Sequence, residues 1–344
     1  MSIKKISKEA FENFVETLIK SGKVVGVQTK GERFDFAPLV SAKDLRLDYD
    51  VTLLPPKRFF QPTTETLLAF DAEGKYKSEF DDEKFILLGV HPYDMAAINQ
   101  MDKIFSKDYY DEHYMKRRNN ATIIACDVVT ASENVFAASM GMATVAEGFD
   151  ILLTDIGDSY VAEAATEKGE ALLSKAKNAV EADKKDLEKK QKVQQDNQKK
   201  LNKHKLKCKP SDIPKLLEKA YKHPVWEEKA KTCFGCGSCN MVCPTCYCFN
   251  VQDNFNWDLK SGQRRRIWDG CLLDGFTKVA GEHEFRANRA DRFRHRLYRK
   301  GKYVPEKIGG EISCVGCGRC VGACLPDIAN PVKVYNRLVD DLGL

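Results

Sequence analysis

The sequence lacks the features that would place it in several common classes of protein. No stretch approaches the ~18 apolar residues that a membrane-spanning helix needs. It contains neither the G-x-G-x-x-G fingerprint of dinucleotide-binding domains nor a P-loop, so the usual cradles for nucleotide phosphates are missing. Its start is polar and carries no secretory signal. We therefore expect a cytoplasmic protein without a membrane span that does not bind FAD or NAD by itself.

Cysteine, by contrast, is frequent, with 13 residues in a chain of 344. So many thiols in a chain without a signal peptide favour a reducing cytosol over a disulfide scaffold. The formal net charge of +5 is modest and does not by itself indicate nucleic acid as a partner. The cysteines are therefore the most informative part of the sequence.

Two sets of four cysteines share the spacing C-x2-C-x2-C-x3-C, which is typical of bacterial two-cluster ferredoxins. The first set is Cys233, Cys236, Cys239 and Cys243, and the second is Cys314, Cys317, Cys320 and Cys324. In such ferredoxins the fourth cysteine of each set ligates the other cluster. The prediction is one [4Fe–4S] cluster on Cys233, Cys236, Cys239 and Cys324, and a second on Cys314, Cys317, Cys320 and Cys243.

Structural zinc sites or disulfides are the alternative interpretation of these cysteines. Zinc sites favour two C-x2-C pairs separated by a spacer, often with histidine. Here three evenly spaced cysteines plus a fourth occur twice, which favours iron–sulfur clusters. The intervening glycines suit tight loops around a metal core because they have no Cβ atom to clash. They are Gly235, Gly237, Gly316 and Gly318.

Three further cysteines lie in the long connection between the two sets. They are Cys246, Cys248 and Cys271. The bolder interpretation is that these thiols hold a third cluster, because two of them follow the first set directly. The candidates for its fourth ligand are Asp269, Cys126 and Cys208. The simpler interpretation is that they are buried free thiols that pack around the first cluster.

Hydrophobic patterning divides the chain into three parts. Apolar runs such as FILLGV at 85–90 and ATIIA at 121–125 alternate with helical patterns and predict a parallel sheet. A helix capped by Ser7 precedes them. Apolar residues thin out after Val180, which predicts a helical arm that either docks a partner subunit or is only solvated. The predicted architecture is an α/β domain at 1–175, a helical arm and linker at 176–230, and a two-cluster ferredoxin-like α+β domain at 231–344 with an insertion at 249–313.

Polar and thiol residues follow two of the predicted strands. They are His91, Asp94, Cys126 and Asp127. Because α/β domains bind ligands at the carboxyl ends of their strands, a ligand or cluster pocket is one interpretation. Turn residues with a buried thiol are the simpler interpretation, and we favour it.

Residues 286–302 carry a dense array of arginine and lysine with aromatic residues nearby. The cations would neutralise anionic clusters or meet an acidic partner surface. A nucleic-acid groove would use similar interleaving, but no RNA-binding module accompanies it. We therefore predict no nucleic-acid partner.

Several motifs resemble one known family. They are CGSCNMVCPTCYCFNVQD, RRRIWDGC, RFRHRLYRK and CVGCGRCVGAC, with looser similarity at PPKRFFQPTTE and GVHPYD. The chain is similar to an iron–sulfur subunit that occurs in anaerobic sulfite reductases and, as the beta subunit, in cytosolic sulfhydrogenases. The similarity covers most of the chain except residues 180–207.

The resemblance implies a cytoplasmic, non-catalytic electron-transfer subunit of anaerobic metabolism. Such a subunit relays single electrons from a partner that binds FAD and NAD(P)H to a catalytic subunit of sulfite reductase, hydrogenase or heterodisulfide reductase type. No catalytic residue is predicted in this chain. The alternative is a self-sufficient iron–sulfur enzyme whose N-terminal domain binds a flavin or a small substrate.

Overall fold

The computed structural model describes residues 1–343, in which strands and helices are connected by loops. The strands are β1 (Ile3–Ser7), β2 (Lys23–Lys30), β3 (Arg33–Pro38), β4 (Thr64–Phe70), β5 (Tyr76–Ser78), β6 (Phe85–Val90), β7 (Ala121–Cys126), β8 (Ile151–Asp155), β9 (Ser159–Ala164), β10 (Val180–Glu181), β11 (Phe249–Phe255) and β12 (Gly262–Trp268). The α-helices are α1 (Lys8–Ser21), α2 (Pro92–Ser106), α3 (Glu112–Asn120), α4 (Glu167–Leu173), α5 (Lys184–Lys200), α6 (Ile213–Lys219), α7 (Val225–Thr232), α8 (Ser238–Met241), α9 (Arg289–Tyr298), α10 (Val304–Ile308), α11 (Arg319–Gly322) and α12 (Pro331–Leu342). A π-helical turn at Arg299–Tyr303 joins α9 to α10. None of the helices described is long and apolar enough to cross a membrane.

The larger sheet has eight strands in the order β10-β1-β9-β8-β7-β6-β2-β3. Its central strands β2, β6, β7 and β8 run parallel, and the outer strands pair antiparallel. Leu87, Ile123 and Leu152 on the central strands are buried, as expected for continuous apolar runs in a covered parallel sheet. The mixed α/β architecture predicted for this part of the chain is confirmed.

The first helix shows how local sequence sets the boundaries of these elements. Ser7 ends β1, and its hydroxyl oxygen accepts a hydrogen bond from the backbone amide of Ala10 at 3.2 Å. This contact satisfies one of the free amides at the start of α1. Phe14 and Leu18 lie on one face of the helix and are buried against the sheet. The capped helix predicted at this place is confirmed.

The smaller sheet joins parts of the chain that the sequence assigns to different domains. Its strand order is β11-β12-β4-β5, so a hairpin from the 249–313 insertion pairs with strands from the N-terminal third. Arg266 on β12 is buried and forms ion pairs with Glu65 on β4 and with Asp111. The predicted boundaries therefore do not separate independent units, because the insertion completes a sheet that the N-terminal part begins.

The helix expected within 176–230 is present as α5, and most of its side chains are exposed, but it does not project as a free arm. Helix α5 lies against β8 and β9 of the larger sheet. Lys190 forms an ion pair with Glu163, and the Gln194 side-chain amide donates to the Asp127 carboxylate at 3.2 Å. The spacing of apolar residues cannot reveal that a helix packs against a sheet through polar side chains. The sequence therefore suggested a solvated arm.

Helices surround the two cysteine sets. Helices α6, α7, α9 and α12 share one hydrophobic core with the cysteine loops, and Trp226, Phe293 and Tyr335 are buried there. The short helices α8 and α11 carry Cys239 and Cys320 and contact each other. The two cysteine loops therefore lie side by side in the C-terminal part.

Candidate metal centres

Each cysteine set sits on a loop that leads into a short helix. A glycine with positive φ precedes the helix in both loops: Gly237 has a φ of 71° and Gly318 a φ of 78°. This backbone conformation favours glycine. A Cβ atom on Gly318 would also lie 2.3 Å from the carbonyl oxygen of Asn134. The glycines therefore permit tight loops and, in the second loop, close contact with the N-terminal part.

The structure brings Cys324 to the first three cysteines of the first set. One cavity of about 150 Å³ is lined by Cys233, Cys236, Cys239 and Cys324. Apolar side chains complete its wall, namely Phe234, Leu272, Phe293 and Ile328. Four thiols around an apolar cavity are the donor set that a [4Fe–4S] cluster requires.

A second cavity collects the other four cysteines. Its lining includes Cys243, Cys314, Cys317 and Cys320. Phe136 from the N-terminal part and Tyr335 on α12 also line it. Each cavity thus contains three cysteines from one set and the fourth from the other, which is the arrangement that the ferredoxin spacing predicts. Ligation by these eight cysteines stays a prediction.

The two cavities differ in their access to solvent. At the first, Cys236 is exposed, and the neighbouring Phe234 and Leu325 are 65% and 89% exposed. At the second, Cys317 is buried against the N-terminal part. This burial raises the pKa of the Cys317 thiol, although the nearby Arg319 works in the opposite direction. Because cluster ligands are thiolates, binding of iron has to offset that cost.

Two buried cations extend from α9 and the π-helical turn toward the cysteines. Within the described residues, Arg296 donates only to the Cys239 carbonyl, at 3.5 Å, and its Nε and Nη1 atoms have no partner. Lys300 Nζ donates to the Thr245 hydroxyl at 2.8 Å. Burial acts to lower the pKa of Lys300, but the sulfur of Cys243 and other nearby cysteines outweighs it and the pKa is raised.

Buried cations without a carboxylate partner are costly. Arg296 and Lys300 both line the second cavity, and neither forms an ion pair with a carboxylate in residues 1–343. Thiolate-bound iron–sulfur clusters are anionic and would supply the missing counter-charge. The donor sets and the surrounding charges therefore fit such clusters.

The three remaining cysteines of the connection also come together. Cys246, Cys248 and Cys271 line a third cavity. The Asn240 side-chain amide lies 3.2 Å from Cys271 Sγ and 3.6 Å from Cys246 Sγ. Arg296 and Lys300 line this cavity as well as the second one. The thiols are thus grouped, rather than dispersed around the first cavity.

None of the three predicted fourth ligands lines this third cavity. Cys126 is buried in the core of the larger sheet. Cys208 lines a separate cavity with Asp212. The Asp269 carboxylate accepts a hydrogen bond from the amide of Gly270 at 2.7 Å, and its own amide donates to the carbonyl of Cys248. Cys126 and Cys208 are therefore too far away to complete the site, whereas a role for Asp269 stays a prediction.

Lys57 is a residue of this region that sequence reasoning missed. Its ammonium group donates to the carbonyl oxygen of Cys246 and lies 4.2 Å from the centre of the Trp268 ring. Burial lowers the pKa of Lys57 to about 8, and the nearby Cys246 sulfur opposes this effect. No local pattern could have identified it, because the contact joins residues 189 positions apart.

The strand-end residues lie against the second cysteine loop. Arg319 from this loop forms two hydrogen bonds of 2.6 Å with the Asp94 carboxylate. The His91 ring stacks on Tyr49 at 3.9 Å between ring centres. Asp127 accepts hydrogen bonds from Thr154 and Gln194 on the other side of the sheet end. A side chain of the cysteine loop thus takes the place that a ligand has in other α/β domains.

The basic segment at 286–302 divides between interior and surface. Arg296 and Lys300 are buried among the cysteines, whereas the Arg294 guanidinium lies over the Tyr221 ring at 4.0 Å. Arg292 is also buried and donates to the carbonyl oxygen of Ala287 at 2.6 Å. Among the three interpretations of this segment, these contacts favour neutralisation of anionic clusters.

Comparisons with known proteins agree with this geometry. Residues 232–328, which contain both cysteine sets and the connection, match a protein family described as 4Fe-4S dicluster domain. The chain is also 33% identical over 340 residues to sulfhydrogenase 2 subunit beta of Pyrococcus furiosus, and the match covers 98% of each chain. A dicluster domain indicates two [4Fe–4S] clusters.

Proposed function

This chain belongs to the family of the sulfhydrogenase 2 beta subunit, and from that premise we propose that it is the electron-relay subunit of an oxidoreductase complex. It is an iron–sulfur protein of electron transport with two [4Fe–4S] clusters. The finer proposal is that electrons arrive from a subunit that binds FAD and NAD(P)H. They leave to a catalytic subunit of hydrogenase, sulfite reductase or heterodisulfide reductase type.

The observation that carries this proposal is the pair of neighbouring cavities with four cysteines each. The proposed ligands of the first are Cys233, Cys236, Cys239 and Cys324, and those of the second are Cys314, Cys317, Cys320 and Cys243. A bound [4Fe–4S] cluster supplies one-electron chemistry. The contact between α8 and α11 holds the two cysteine loops together. Neighbouring sites of this kind suit the passage of an electron from one to the other.

The residues of the chain have distinct tasks in this proposal. Apolar side chains such as Leu272 and Phe293 form the buried wall of the first site and keep water away from that side. Arg296 and Lys300 stabilise the negative charge that the second site gains on reduction, since charge near a cluster sets its potential. The exposed Phe234 and Leu325 beside Cys236 offer the first site a surface on which a redox partner can approach.

A self-sufficient enzyme is the second candidate, and one feature favours it. A surface groove of about 490 Å³ lies between α1 and the following loops of the N-terminal part. Its size suits a small molecule. However, Lys8 in this groove is already paired with Asp155, and Asp48 with Arg46. The groove is also distinct from all three cysteine cavities.

Cofactor analysis of the chain purified without partners under anaerobic conditions separates the two functions. The relay proposal predicts iron and acid-labile sulfide without flavin. Stoichiometric flavin in the isolated chain, or oxidation of NAD(P)H by it alone, would overturn the proposal in favour of the self-sufficient enzyme.

A further inference from the structure

We propose that Cys246, Cys248 and Cys271 bind a third iron–sulfur cluster that has three cysteine ligands and no fourth thiolate. The inference extends the proposed relay by one carrier. Its test is independent of the partner subunits, so the two proposals can fail separately. Each of the three thiols gives up one proton to solvent as its sulfur binds iron.

The hairpin of the insertion brings these cysteines together. β11 begins directly after Cys248, and β12 returns the chain to the same end, where Phe249 and Trp268 are paired. The backbone amide of Asp269 then donates to the carbonyl oxygen of Cys248 at 3.1 Å. Cys271 follows two residues later. The long insertion therefore has a structural role, because it places its own cysteine beside the two that follow the first set.

Asn240 is the second feature that indicates a binding site here. It is 1% exposed, and its amide nitrogen lies within 3.6 Å of two of the three sulfurs. The neighbouring residue in the chain is Cys239, a proposed ligand of the first cluster. Hydrogen bonds to ligand sulfur are a normal means of raising the reduction potential of a cluster. Asn240 is thus a positioning and tuning residue between the first site and the third.

The charges around the cavity suit an anionic metal centre. Lys300 and Arg296 line this cavity, and the ammonium of Lys57 donates to the Cys246 backbone. Arg299 also lines it and donates to the Tyr247 hydroxyl. Arg296 and Lys300 also line the second cavity, so they face both sites. A thiolate-bound cluster in the third cavity would share these counter-ions with the second cluster, as Lys57 on the side of Cys246 also allows.

The absence of a fourth thiol follows from the positions of the other cysteines. Cys126 and Cys208, the two cysteines outside all the proposed ligand sets, lie in the sheet core and in a separate cavity. One iron of the third cluster would therefore carry an oxygen or nitrogen ligand or solvent. Fewer thiolates place less negative charge on a cluster, and replacing cysteine by histidine raises the potential of Rieske centres. We expect the third cluster to have the highest potential of the three.

Iron and sulfide analysis of the anaerobically prepared full chain is the first test. Three cubanes correspond to about 12 irons per chain, and two correspond to about 8. Cys271→Ala and Cys248→Ala should each lose about four irons. Cys208→Ala is the matched control and should lose none. An unchanged count of about 8 in wild type and in both variants would overturn the proposal, as would zinc at one per chain.

Redox titration followed by electron paramagnetic resonance is the second test. Asn240→Leu keeps the volume of the side chain but removes its donor, so one signal should shift to lower potential while the iron count is unchanged. The Cys271→Ala protein should lack that signal. If Cys271→Ala fails to fold, the wild-type iron count and its number of distinct signals still decide between two and three clusters.

Discussion

The guanidinium group of Arg319 forms two hydrogen bonds of 2.6 Å with the carboxylate of Asp94, and both side chains are buried. Arg319 belongs to the second cysteine loop, and Asp94 to the first turn of α2. Arg319 also donates to the backbone carbonyl of Thr52 at 2.9 Å. This buried ion pair is therefore one of the contacts that join the N-terminal part to the second proposed cluster site, beside the hydrogen bond from the Phe136 amide to the Gly316 carbonyl. This contact explains why the strand ends leave no room for another ligand.

Asp94→Asn should destabilise the protein strongly. The substitution leaves the buried Arg319 cation without its partner, which typically costs about 3–5 kcal/mol. Asp48→Asn is a suitable control because its pair with Arg46 is exposed and should be worth about 1 kcal/mol or less. Urea unfolding of both variants measures the difference. Equal effects would show that the buried pair does not hold the two parts together.

Single cysteine variants test the crossed ligand sets. Cys236→Ser and Cys324→Ser should each remove the first cluster, so the two variants should give the same spectrum, that of the remaining clusters. Cys243→Ser and Cys314→Ser should each remove the second cluster, so these two should also share a spectrum, which differs from that of the first two variants. About four irons should be lost in each case. If Cys243→Ser resembled Cys236→Ser instead, the assignment of the fourth cysteine to the opposite cluster would be incorrect.

Lys300→Met should lower the reduction potential of the second cluster. Removing a nearby cation makes the additional negative charge of the reduced state less favourable, by on the order of 50–100 mV for one electron. Lys302→Met is the control, because its ammonium pairs with Glu218 at the surface. Potentiometric titration of both variants provides the measurement. A potential that is unchanged in Lys300→Met would contradict the electrostatic role given to this residue.

Leu201→Ala should destabilise the protein by about 2–5 kcal/mol, because Leu201 is fully buried. Its backbone carbonyl also accepts a hydrogen bond from the amide of Ala138 in the loop that covers the second site. Leu187→Ala on the same segment is the control, since its side chain is 36% exposed. Thermal unfolding of both variants distinguishes a docked helix from a solvated arm. For a solvated arm, both variants would lose equally little stability.

The features that could be predicted from the sequence arise from interactions between residues close together in the chain. The spacing of Cys233, Cys236 and Cys239 reflects the geometry of one loop around one metal core, and the continuous apolar runs reflect strands covered on both faces. Such constraints act over a few residues and can therefore be recognised in the sequence alone.

The parts that sequence analysis missed depend on distant contacts. Arg266 and Glu65 are 201 positions apart, so nothing local indicates that the insertion completes a sheet with the N-terminal part. Lys57 lies in a segment without a metal motif and reaches its site only through the fold. The ion pair by which Lys190 holds α5 to the sheet is polar, so the pattern of apolar residues does not reveal it either.

The central claim is that this chain carries single electrons and depends on another subunit for hydride chemistry. Stopped-flow absorbance of the oxidised clusters after mixing with NADH or NADPH tests it most directly, with and without the flavin-binding partner subunit. We predict that the clusters are reduced only when that partner is present. We also predict that Cys236→Ser, which removes the first cluster beside the exposed Phe234 and Leu325, slows this reduction. Rapid reduction of the clusters by NADH or NADPH in the isolated chain would contradict the account.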